Sequence, residues 1–323
     1  MDLIEIAHQL VAPSKGILAA DESLPTIKKR FDKIGIKSTP VTRHSWRELL
    51  FSTREIEKYI SGVILFEETL QDKSLVDLLL NKNIIVGIKV DAGKKSMPTS
   101  KNEVITEGLN DLKERLPKYK KLGAQFTKWR AVYTIAEGLP SHEAIYENAN
   151  LLGRFAILSQ EAGMVPIVEP EVLMDGSHDI STCAKVTERV LKVVFEELGN
   201  YKVNLKGMLL KPNMVLPGED SAEKASPQKI AKETARVMSA TVPKEVSGLV
   251  FLSGGQSADE ATKHLSAINA LGGTPPWELS FSFGRALQST AMKIWKGDPK
   301  NLKFAQEEFL KRCRLNSEAR FKR

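Results

Sequence analysis

The apolar run Met-Leu-Leu-Lys-Pro at 208–212 has one charged side chain, Lys211. Such a lysine is not easily solvated in the way an ordinary surface lysine is, and the proline after it stops a strand. A lysine with an unperturbed pKa near 10.4 carries the free amine in only about one molecule in 2,500 at pH 7. Desolvation or a nearby cation increases that fraction, and the free amine attacks carbonyl carbons. Lys211 is therefore a candidate nucleophile. The alternative is a lysine that extends from a strand end into solvent.

Charged residues of both signs follow other apolar runs of the chain. The lysines are Lys89, Lys128 and Lys211, and the carboxylates are Asp21, Glu169 and Glu171. In one crowded site, each lysine lowers the affinity of its neighbours for protons, and the carboxylates can transfer protons. Lys128 and Glu169 are then the candidates that tune and protonate the nucleophile. Two alternatives stay open: Asp21 as the N-cap of a helix, and Glu169 with Glu171 as structural ion pairs.

Two glycine-containing segments, Ser253-Gly254-Gly255 and Phe283-Gly284-Arg285, predict an anion site after the last two apolar runs. Glycine lets backbone N–H groups approach a phosphate, although a lone Gly-Gly pair usually marks a turn. Arg285 would add a planar, permanently charged partner. A second phosphate could bind at the opposite side of the site, to Ser23, Thr26, Arg30, Lys89 and Arg130. Two anion sites beside an amine indicate a bisphosphorylated carbonyl substrate.

The elements that would position these residues are short apolar or β-branched runs. Each run precedes a polar or charged cluster and then a segment with helical periodicity. Eight runs occur, at 16–20, 62–66, 84–88, 124–127, 165–168, 207–210, 249–252 and 279–283. Amphipathic stretches at 143–162 and 184–198 have apolar residues three and four positions apart and predict helices.

Strand followed by helix, eight times, predicts an α/β fold, a (β/α)₈ TIM barrel, as a single domain over residues 1–323. Its parallel strands are buried on both faces, and its active site lies where the strands end. The first crossover, 24–61, is long enough for two helices. The linker-like segments 217–227 and 272–276 are too short to separate domains. We expect 296–323 to form a short C-terminal helix and a frayed tail.

Composition narrows the possible function. The chain has 323 residues, 47 basic and 40 acidic, with a formal net charge of +7. This mixed surface is unlike a dense nucleic-acid-binding tract and suits anionic small molecules equally well. Two cysteines and five scattered histidines predict neither a disulfide framework nor a metal site, and we expect no cofactor.

The N-terminus and the hydropathy pattern predict where the protein works. The first residues carry acids where a targeting peptide would carry bases, and no apolar run approaches the length of a membrane span. The scarcity of cysteine fits a reducing compartment. We therefore expect a cytoplasmic protein that binds neither nucleic acid nor membrane.

Seven motifs follow one another along nearly the whole chain. They are Ile-Leu-Ala-Ala-Asp-Glu-Ser at 17–23, Gly-Ile-Lys-Val-Asp at 87–91, Lys-Trp-Arg at 128–130, Ile-Val-Glu-Pro-Glu at 167–171, Leu-Lys-Pro-Asn-Met at 210–214, Phe-Leu-Ser-Gly-Gly-Gln at 251–256 and Leu-Ser-Phe-Ser-Phe-Gly-Arg-Ala-Leu-Gln at 279–288. This ordered set resembles class I fructose-bisphosphate aldolase. The resemblance implies a metal-independent Schiff-base lyase of glycolysis and gluconeogenesis. Such a lyase splits fructose 1,6-bisphosphate reversibly into dihydroxyacetone phosphate and glyceraldehyde 3-phosphate. The resemblance also implies a homotetramer.

The resemblance implies a role for each matching position. Lys211 would form the Schiff base, and Glu169 with Lys128 would transfer protons at the carbinolamine. Asp21 would serve the C4-hydroxyl proton, and Glu171 belongs to the same catalytic set. The residues that would bind the ketone-side phosphate are Ser253, Gly254, Gly284 and Arg285, and Ser282 belongs to the same phosphate-binding set. Those that would face the other phosphate are Ser23, Thr26, Lys89 and Arg130, with Arg30 adjusting to the substrate.

Three positions depart from the family pattern. Leu205-Lys206-Gly207 stands where members usually have an aliphatic-Glu-Gly pattern, before the chemical end of the strand. Leu24-Pro25 replaces a small, often glycine-containing pair, and we expect it to stiffen a loop before Thr26. The sequence ends at Phe321-Lys322-Arg323 without the long segment and terminal tyrosine of animal aldolases. We therefore expect protonation and deprotonation of the carbanion to use another group or to be slower.

Two other functions stay open at this point. One is a scaffold whose basic surface binds filaments or other anionic polymers, in a manner that fails at high salt and ignores mutations at the strand ends. The other is aldol cleavage of a different phosphorylated ketose. Borohydride trapping of a ketone on Lys211 separates the enzyme from the scaffold.

Overall fold

The computed structural model describes residues 2–98, 100–271 and 275–321 of the chain. Parallel strands form a closed barrel, which confirms the predicted single-domain (β/α)₈ fold. The barrel strands are β1 (Gly16–Ala20), β2 (Ile60–Leu65), β3 (Ile85–Lys89), β6 (Ala124–Tyr133), β7 (Val165–Val172), β8 (Leu209–Leu210), β9 (Gly248–Phe251) and β10 (Glu278–Phe283), and a separate hairpin holds β4 (Gly93–Met97) and β5 (Ser100–Glu107). The barrel closes where β10 pairs with β1, with Ser282 opposite Ile17.

Helices surround the barrel and connect its strands. They are α1 (Leu3–Leu10), α2 (Leu24–Asp32), α3 (Pro40–Ser52), α4 (Glu67–Leu70), α5 (Lys73–Leu80), α6 (Leu112–Lys121), α7 (His142–Glu161), α8 (Ile180–Asn200), α9 (Pro227–Thr241), α10 (Ala258–Asn269), α11 (Arg285–Trp295) and α12 (Leu302–Glu318). The first crossover contains α2 and α3, as its length predicted. The two helices predicted by periodicity correspond to α7 and α8.

Strands β6 and β7 run further than predicted. The predicted strands end at Thr127 and Val168, just before the first charged residue of each, whereas the observed strands continue to Tyr133 and Val172. The apolar pattern ends early because the side chains that enter the barrel near its mouth are charged. The charged candidate residues of these two strands therefore lie within the sheet and not in loops after it. They are Lys128 and Arg130 of β6 and Glu169 and Glu171 of β7.

Helix α1, which was not predicted, closes the N-terminal end of the barrel. Its buried residues Ile6, Ala7 and Leu10 pack in one apolar cluster with inward-facing residues of the strands, such as Ile64 and Phe126. Burying each large apolar side chain stabilises the fold by about 1.5–3 kcal/mol. This end of the barrel interior is thus filled by apolar side chains.

A larger apolar layer lies between the strands and the outer helices. Trp46 of α3 packs against Trp295 of α11, with ring centroids 5.3 Å apart. On the other side, Trp129 of β6 packs against Phe155 of α7 at 5.6 Å. These contacts fix the helices that follow the strand ends, and so fix the direction of the polar side chains there.

The hairpin of β4 and β5, also not predicted, follows β3 at the mouth. Asn148 of α7 holds it: its side chain accepts a hydrogen bond from Thr106 N at 3.1 Å and donates one to Val104 O at 2.9 Å. The first linker-like segment packs on the loop after β7, where Gly218 N donates to His178 O at 2.8 Å. Residues 272–274 of the second segment and 322–323 of the tail lie outside the described residues.

The tail returns to the N-terminal end of the barrel. Arg320 donates hydrogen bonds to the carbonyls of Val11, at 3.1 Å, and of Leu279, at 2.9 Å, and also to those of Ala12 and Lys15. Its side chain is 4% exposed. Arg320 therefore packs beneath the barrel, far from the carboxyl ends of the strands.

Cys183 and Cys313 are buried free thiols. In the described part of the chain, no group of three or more His, Cys, Asp or Glu side chains could hold a metal ion. None of the helices described is long and apolar enough to cross a membrane.

Candidate active site

Four charged side chains of alternating sign form a buried chain at the barrel mouth. Lys128 Nζ lies 3.0 Å from Asp21 Oδ2 and 2.8 Å from Glu169 Oε2. Glu169 Oε1 lies 3.2 Å from Lys211 Nζ. The structure therefore brings the predicted nucleophile into direct contact with Glu169, and through Glu169 and Lys128 into one chain of ion pairs with Asp21, in or directly after four different strands.

The two-residue repeat of a strand explains why these residue types recur at this spacing. Successive side chains of a strand point to opposite faces. Lys128 and Arg130 of β6 thus share the inner face, as do Glu169 and Glu171 of β7. The residue between the two cations, Trp129, points outward into the apolar layer, where it is fully buried.

Lys211 directly follows the short strand β8. Its backbone N–H donates to Val168 O at 2.8 Å, so the sheet pairing continues to this residue although Pro212 ends the strand. The next residue, Asn213, accepts a hydrogen bond from Val172 N at 3.1 Å and donates to Thr187 Oγ1 at 3.2 Å. These bonds fix the backbone that carries the amine, which is 3% exposed.

The attraction between the lysines and the carboxylates determines the protonation states of Asp21, Lys128 and Glu169. Burial raises the pKa of Asp21 and of Glu169, but the positive charges of Lys128 and Lys211 outweigh it, so both pKa values lie below their usual range. Burial lowers the pKa of Lys128, but Asp21 and Glu169 outweigh it and hold that pKa above its usual value. At neutral pH two carboxylates and the Lys128 cation therefore surround the amine of Lys211.

Two further ion pairs lie beside this chain of four charged side chains. Arg130 Nε donates to Glu171 Oε2 at 2.5 Å, and Lys89 Nζ lies 2.7 Å from Asp91 Oδ1. Asp91 also accepts a hydrogen bond from Arg130 N at 3.3 Å, so it links β3 to β6. Burial lowers the pKa of Arg130, but Glu171 and Glu169 outweigh it and raise the pKa above its usual value.

Asp91 was missed as a candidate, although the motif Gly-Ile-Lys-Val-Asp contains it. It follows Lys89 at a spacing of two residues, which is the spacing that places two strand residues on one face. That spacing was the signal that could have identified it.

The glycine-containing ends of β9 and β10 meet beside this cluster. Gly254 has φ +53°, in the left-handed region that favours glycine. A Cβ on Gly284 would lie 3.2 Å from Ala19 O, so a side chain there would crowd the backbone of β1. Arg285 donates a hydrogen bond to Gly254 O. The two loops and the guanidinium therefore form one small concave surface with positive charge.

Two serines line the same strand ends. Ser253 and Ser282 are 5% and 1% exposed. Among the described residues, the Ser282 hydroxyl has no hydrogen-bond partner. A buried hydroxyl without a partner is costly, so this oxygen is available to a ligand.

The remaining predicted phosphate ligands lie at the start of α2. Ser23 is its N-cap residue, and its hydroxyl lies 3.0 Å from that of Thr26. Leu24 and Pro25 form the first turn of the helix and not a loop, so the expectation of a stiffened loop was wrong. Proline is tolerated there because the first helical N–H groups have no intrahelical acceptor.

Arg30 of α2, which the sequence groups with the opposite phosphate, also lies near Gly284. Its Nη2 atom is 4.0 Å from the position of a Cβ on Gly284, so the guanidinium stands beside the glycine-lined surface. Burial lowers the pKa of Arg285, and the charge of Arg30 lowers it further. The grouping with the opposite phosphate did not foresee this position because it depends on how β1 and β10 meet at the seam of the barrel.

A buried amine beside a carboxylate, next to a cationic glycine-lined surface at a barrel mouth, is suited to a lysine-dependent lyase that acts on phosphorylated carbonyl compounds. Comparison with known proteins identifies the family. The family model described as "Fructose-bisphosphate aldolase class-I" matches residues 2–323. The chain belongs to the class I fructose-bisphosphate aldolase family.

Relatives share this sequence at about half of the aligned positions. Fructose-bisphosphate aldolase 4, cytosolic, from Arabidopsis thaliana is 51% identical over 323 residues, which cover 98% of this chain and 82% of the relative. Fructose-bisphosphate aldolase 1 from Toxoplasma gondii is 51% identical over 325 residues, covering 98% and 89%. A solved structure of fructose-bisphosphate aldolase from Plasmodium falciparum, in complex with TRAP and a small molecule inhibitor, has 48% identity and a TM-score of 0.97, covering 98% of this chain and 93% of that chain.

Proposed function

We propose that the family reaction takes place here on Lys211. The ketone carbon of fructose 1,6-bisphosphate is attacked by the Lys211 amine, which has given up a proton, and the resulting carbinolamine loses water to form an iminium. The observation that carries this proposal is the distance of 3.2 Å between Lys211 Nζ and Glu169 Oε1. An ionised carboxylate at that distance can accept the amine's proton and later protonate the departing hydroxyl.

Carbon–carbon cleavage uses the other end of the charged chain. Asp21 accepts the proton of the C4 hydroxyl, the bond between C3 and C4 breaks, and its electron pair moves into the iminium. Glyceraldehyde 3-phosphate leaves as the aldehyde. The enamine that remains takes a proton at C3, and water releases dihydroxyacetone phosphate from Lys211. Lys128, between both carboxylates, keeps the two charges apart and stabilises them.

The phosphates set the position of the substrate. Gly254, Gly284 and Arg285 hold the ketone-side phosphate through backbone N–H groups and a guanidinium, with the hydroxyls of Ser253 and Ser282 beside them. The opposite phosphate faces Lys89, Arg130 and the start of α2. Fixing both phosphates places the ketone within reach of the amine, which lowers the entropic part of the barrier.

Borohydride trapping tests the Schiff base. Dihydroxyacetone phosphate and borohydride should add one reduced ketone to the tryptic peptide 207–224, since trypsin does not cut the Lys211–Pro212 bond. The Lys211→Arg variant should show no adduct. An adduct on any other lysine, or full activity without one, would contradict the assignment.

We also propose an assembly, which the family resemblance implies, and a location. We expect a homotetramer, whose mass in light scattering would be four times the 35.8 kDa of one chain. Relatives named cytosolic place the enzyme in the cytosol. Elution at the mass of one chain at micromolar concentration would rule out the tetramer.

A further inference from the structure

Glu22 is a buried carboxylate at the mouth that has no part in the steps above. It follows Asp21 at the end of β1 and is 7% exposed. Arg30 Nη1 and Arg47 Nη2 each donate a hydrogen bond to one of its two oxygens. Gln288 Nε2 donates a third, to Oε1, at 3.0 Å. Glu22 therefore joins the end of β1 to α2, α3 and α11.

The surroundings hold this carboxylate in one place. Gln288 is fully buried, donates to Ala19 O at 2.8 Å and accepts a hydrogen bond from Trp46 Nε1 at 3.2 Å. Burial raises the pKa of Glu22, but Arg47 and Arg30 outweigh it and keep that pKa below its usual range. Glu22 is thus a fixed negative charge at neutral pH.

Its two arginine partners differ in exposure and in what else they face. The Arg47 side chain is 5% exposed, and its hydrogen-bond acceptors are Glu22 and Gln288. The Arg30 side chain is 23% exposed, and its Nη2 atom lies 4.0 Å from the position of a Cβ on Gly284. Arg47 therefore only holds buried groups of the outer layer together. Arg30, by contrast, contacts Glu22 through Nη1 and stands beside the glycine-lined surface with Nη2.

Arg30 needs an anchor because it stands near another cation. Arg30 and Arg285 repel each other while no anion lies between them. Without the Glu22 contact, the Arg30 side chain would move into solvent. A bound phosphate would then have to immobilise it, and the lost side-chain entropy would weaken binding. The Glu22 carboxylate opposes this movement before any substrate is present.

We infer that Glu22 is a positioning residue that holds Arg30 at the ketone-side phosphate site. This inference rests on the proposed function, which assigns that site to Gly254, Gly284 and Arg285. Glu22 itself touches no part of the substrate and acts through Arg30.

A double-mutant cycle in the full-length protein tests it. Binding of dihydroxyacetone phosphate is measured by calorimetry for the wild type, Glu22→Gln, Arg30→Ala and the double variant. We expect each single variant to bind about tenfold more weakly. The double variant should bind no more weakly than Arg30→Ala alone, because Glu22 has nothing left to position. If the loss of affinity in the double variant equals the product of the losses in the two single variants, the inference is overturned.

The single variants separate this inference from the proposed function. Unchanged binding by Arg30→Ala would remove Arg30 from the phosphate site, and with it the basis of the inference. A tenfold loss in Arg30→Ala with normal binding by Glu22→Gln would leave the phosphate site intact and overturn the role of Glu22 alone.

Two controls separate positioning from stability. Arg47→Met removes the other guanidinium, and should lower the thermal midpoint while changing affinity less than twofold. Glu197→Gln, which changes a buried carboxylate of α8 bonded to Asn150 and Asn200, should also leave affinity unchanged. Weak binding by Arg47→Met equal to that of Glu22→Gln would show a general effect of the network and overturn the inference.

A further double variant tests the inference if Glu22→Gln does not fold. If Glu22→Gln does not fold, Glu22→Met combined with Arg47→Met removes both buried charges together, an exchange that proteins tolerate better than an unpaired charge. It should bind dihydroxyacetone phosphate about tenfold more weakly than Arg47→Met. Equal affinity would overturn the inference.

Discussion

The two ends of this barrel both bury cations, but they neutralise them differently. At the mouth, Lys128 and Lys211 meet the carboxylates of Asp21 and Glu169. At the N-terminal end, Arg320 meets mainly backbone carbonyls of residues 11–15 and 279. Carboxylates can take up and release protons, whereas carbonyls cannot. Buried cations thus take part in proton transfer at the mouth, whereas at the N-terminal end a buried cation stabilises the fold.

Shape alone would have selected the wrong end. A cavity of about 430 Å³ lies at the N-terminal end, lined by residues that include Val11, Trp277 and Arg320. A second, much smaller cavity of about 10 Å³ lies beside Glu171 and Gly254, near the mouth. At the mouth, charged side chains pair with each other, and several of these are the groups that a substrate would engage. The chemistry of the lining residues, and not volume, locates the site.

The largest expected effect comes from the nucleophile. Lys211→Arg keeps the charge but removes the attacking amine, so cleavage should fall by about 10⁴-fold or more, about 5.5 kcal/mol in barrier. Steady-state kinetics on fructose 1,6-bisphosphate measures the loss. Lys206→Arg, on an exposed neighbour in the same segment, should remain fully active. Near-normal turnover of Lys211→Arg, or complete inhibition of the wild type by EDTA, would contradict covalent catalysis without metal.

The next effect concerns the phosphate site at the mouth. Arg285→Ala should lower kcat/KM for fructose 1,6-bisphosphate by an amount equivalent to about 2–4 kcal/mol, because a charge-assisted contact is lost. Arg236→Ala, on the exposed face of α9, is the matched control and should change nothing. Wild-type affinity of the Arg285 variant for dihydroxyacetone phosphate would refute this role.

At the other end of the barrel the expected loss is in stability. Arg320→Met removes the hydrogen bonds from a buried guanidinium to four backbone carbonyls and should lower the free energy of unfolding by about 1–3 kcal/mol in urea. Turnover, and proton exchange at dihydroxyacetone phosphate followed by NMR in deuterated water, should stay within about threefold, or 0.65 kcal/mol. A large loss of exchange in a folded variant would place the tail in catalysis.

This substitution is a cleaner test than a deletion. Removing residues 315–323 also removes Ser317, which donates to Ser14 O at 2.5 Å, and the buried Asn316. A deletion would therefore lower stability and activity together, and could not show which end of the barrel was affected.

The smallest effect is on the pH dependence of stability. The pKa values of Asp21 and Glu169 are lower in the folded protein than in the unfolded chain, so both groups stabilise the fold above about pH 4.5. This contribution is lost as the pH falls through the lowered values. Asp21→Asn should therefore make urea stability fall less steeply between pH 5 and 3. An identical slope would show that the charged chain adds no pH-dependent stability.

Sequence patterns predicted the barrel because its strands are apolar on both faces and end in polar residues. They did not predict α1, whose apolar face is ordinary for a short helix and whose partner, the open end of a barrel, exists only after closure. They missed the hairpin as well, since β4 has no apolar run. Elements that depend on the assembled fold leave weaker local signals than elements that build it.

For the site, the sequence predicted which residues meet but not how they pair. Arg130 stands opposite Glu169 in the register of β6 and β7, yet its guanidinium pairs with Glu171. Arg30 reaches Gly284 only across the seam between the first and last strands. Such pairings depend on strand stagger and on side-chain conformation, which residue spacing does not encode.

The Arg320 contacts also determine when the barrel can finish folding in the cell. They connect residues 305 to 309 positions apart, so they cannot form before Arg320 has left the ribosome. At about 5–20 residues per second, residues near position 11 wait roughly 15–60 s for this partner. During synthesis the N-terminal end of the barrel therefore stays open, and a chaperone that binds apolar surface has that interval in which to act.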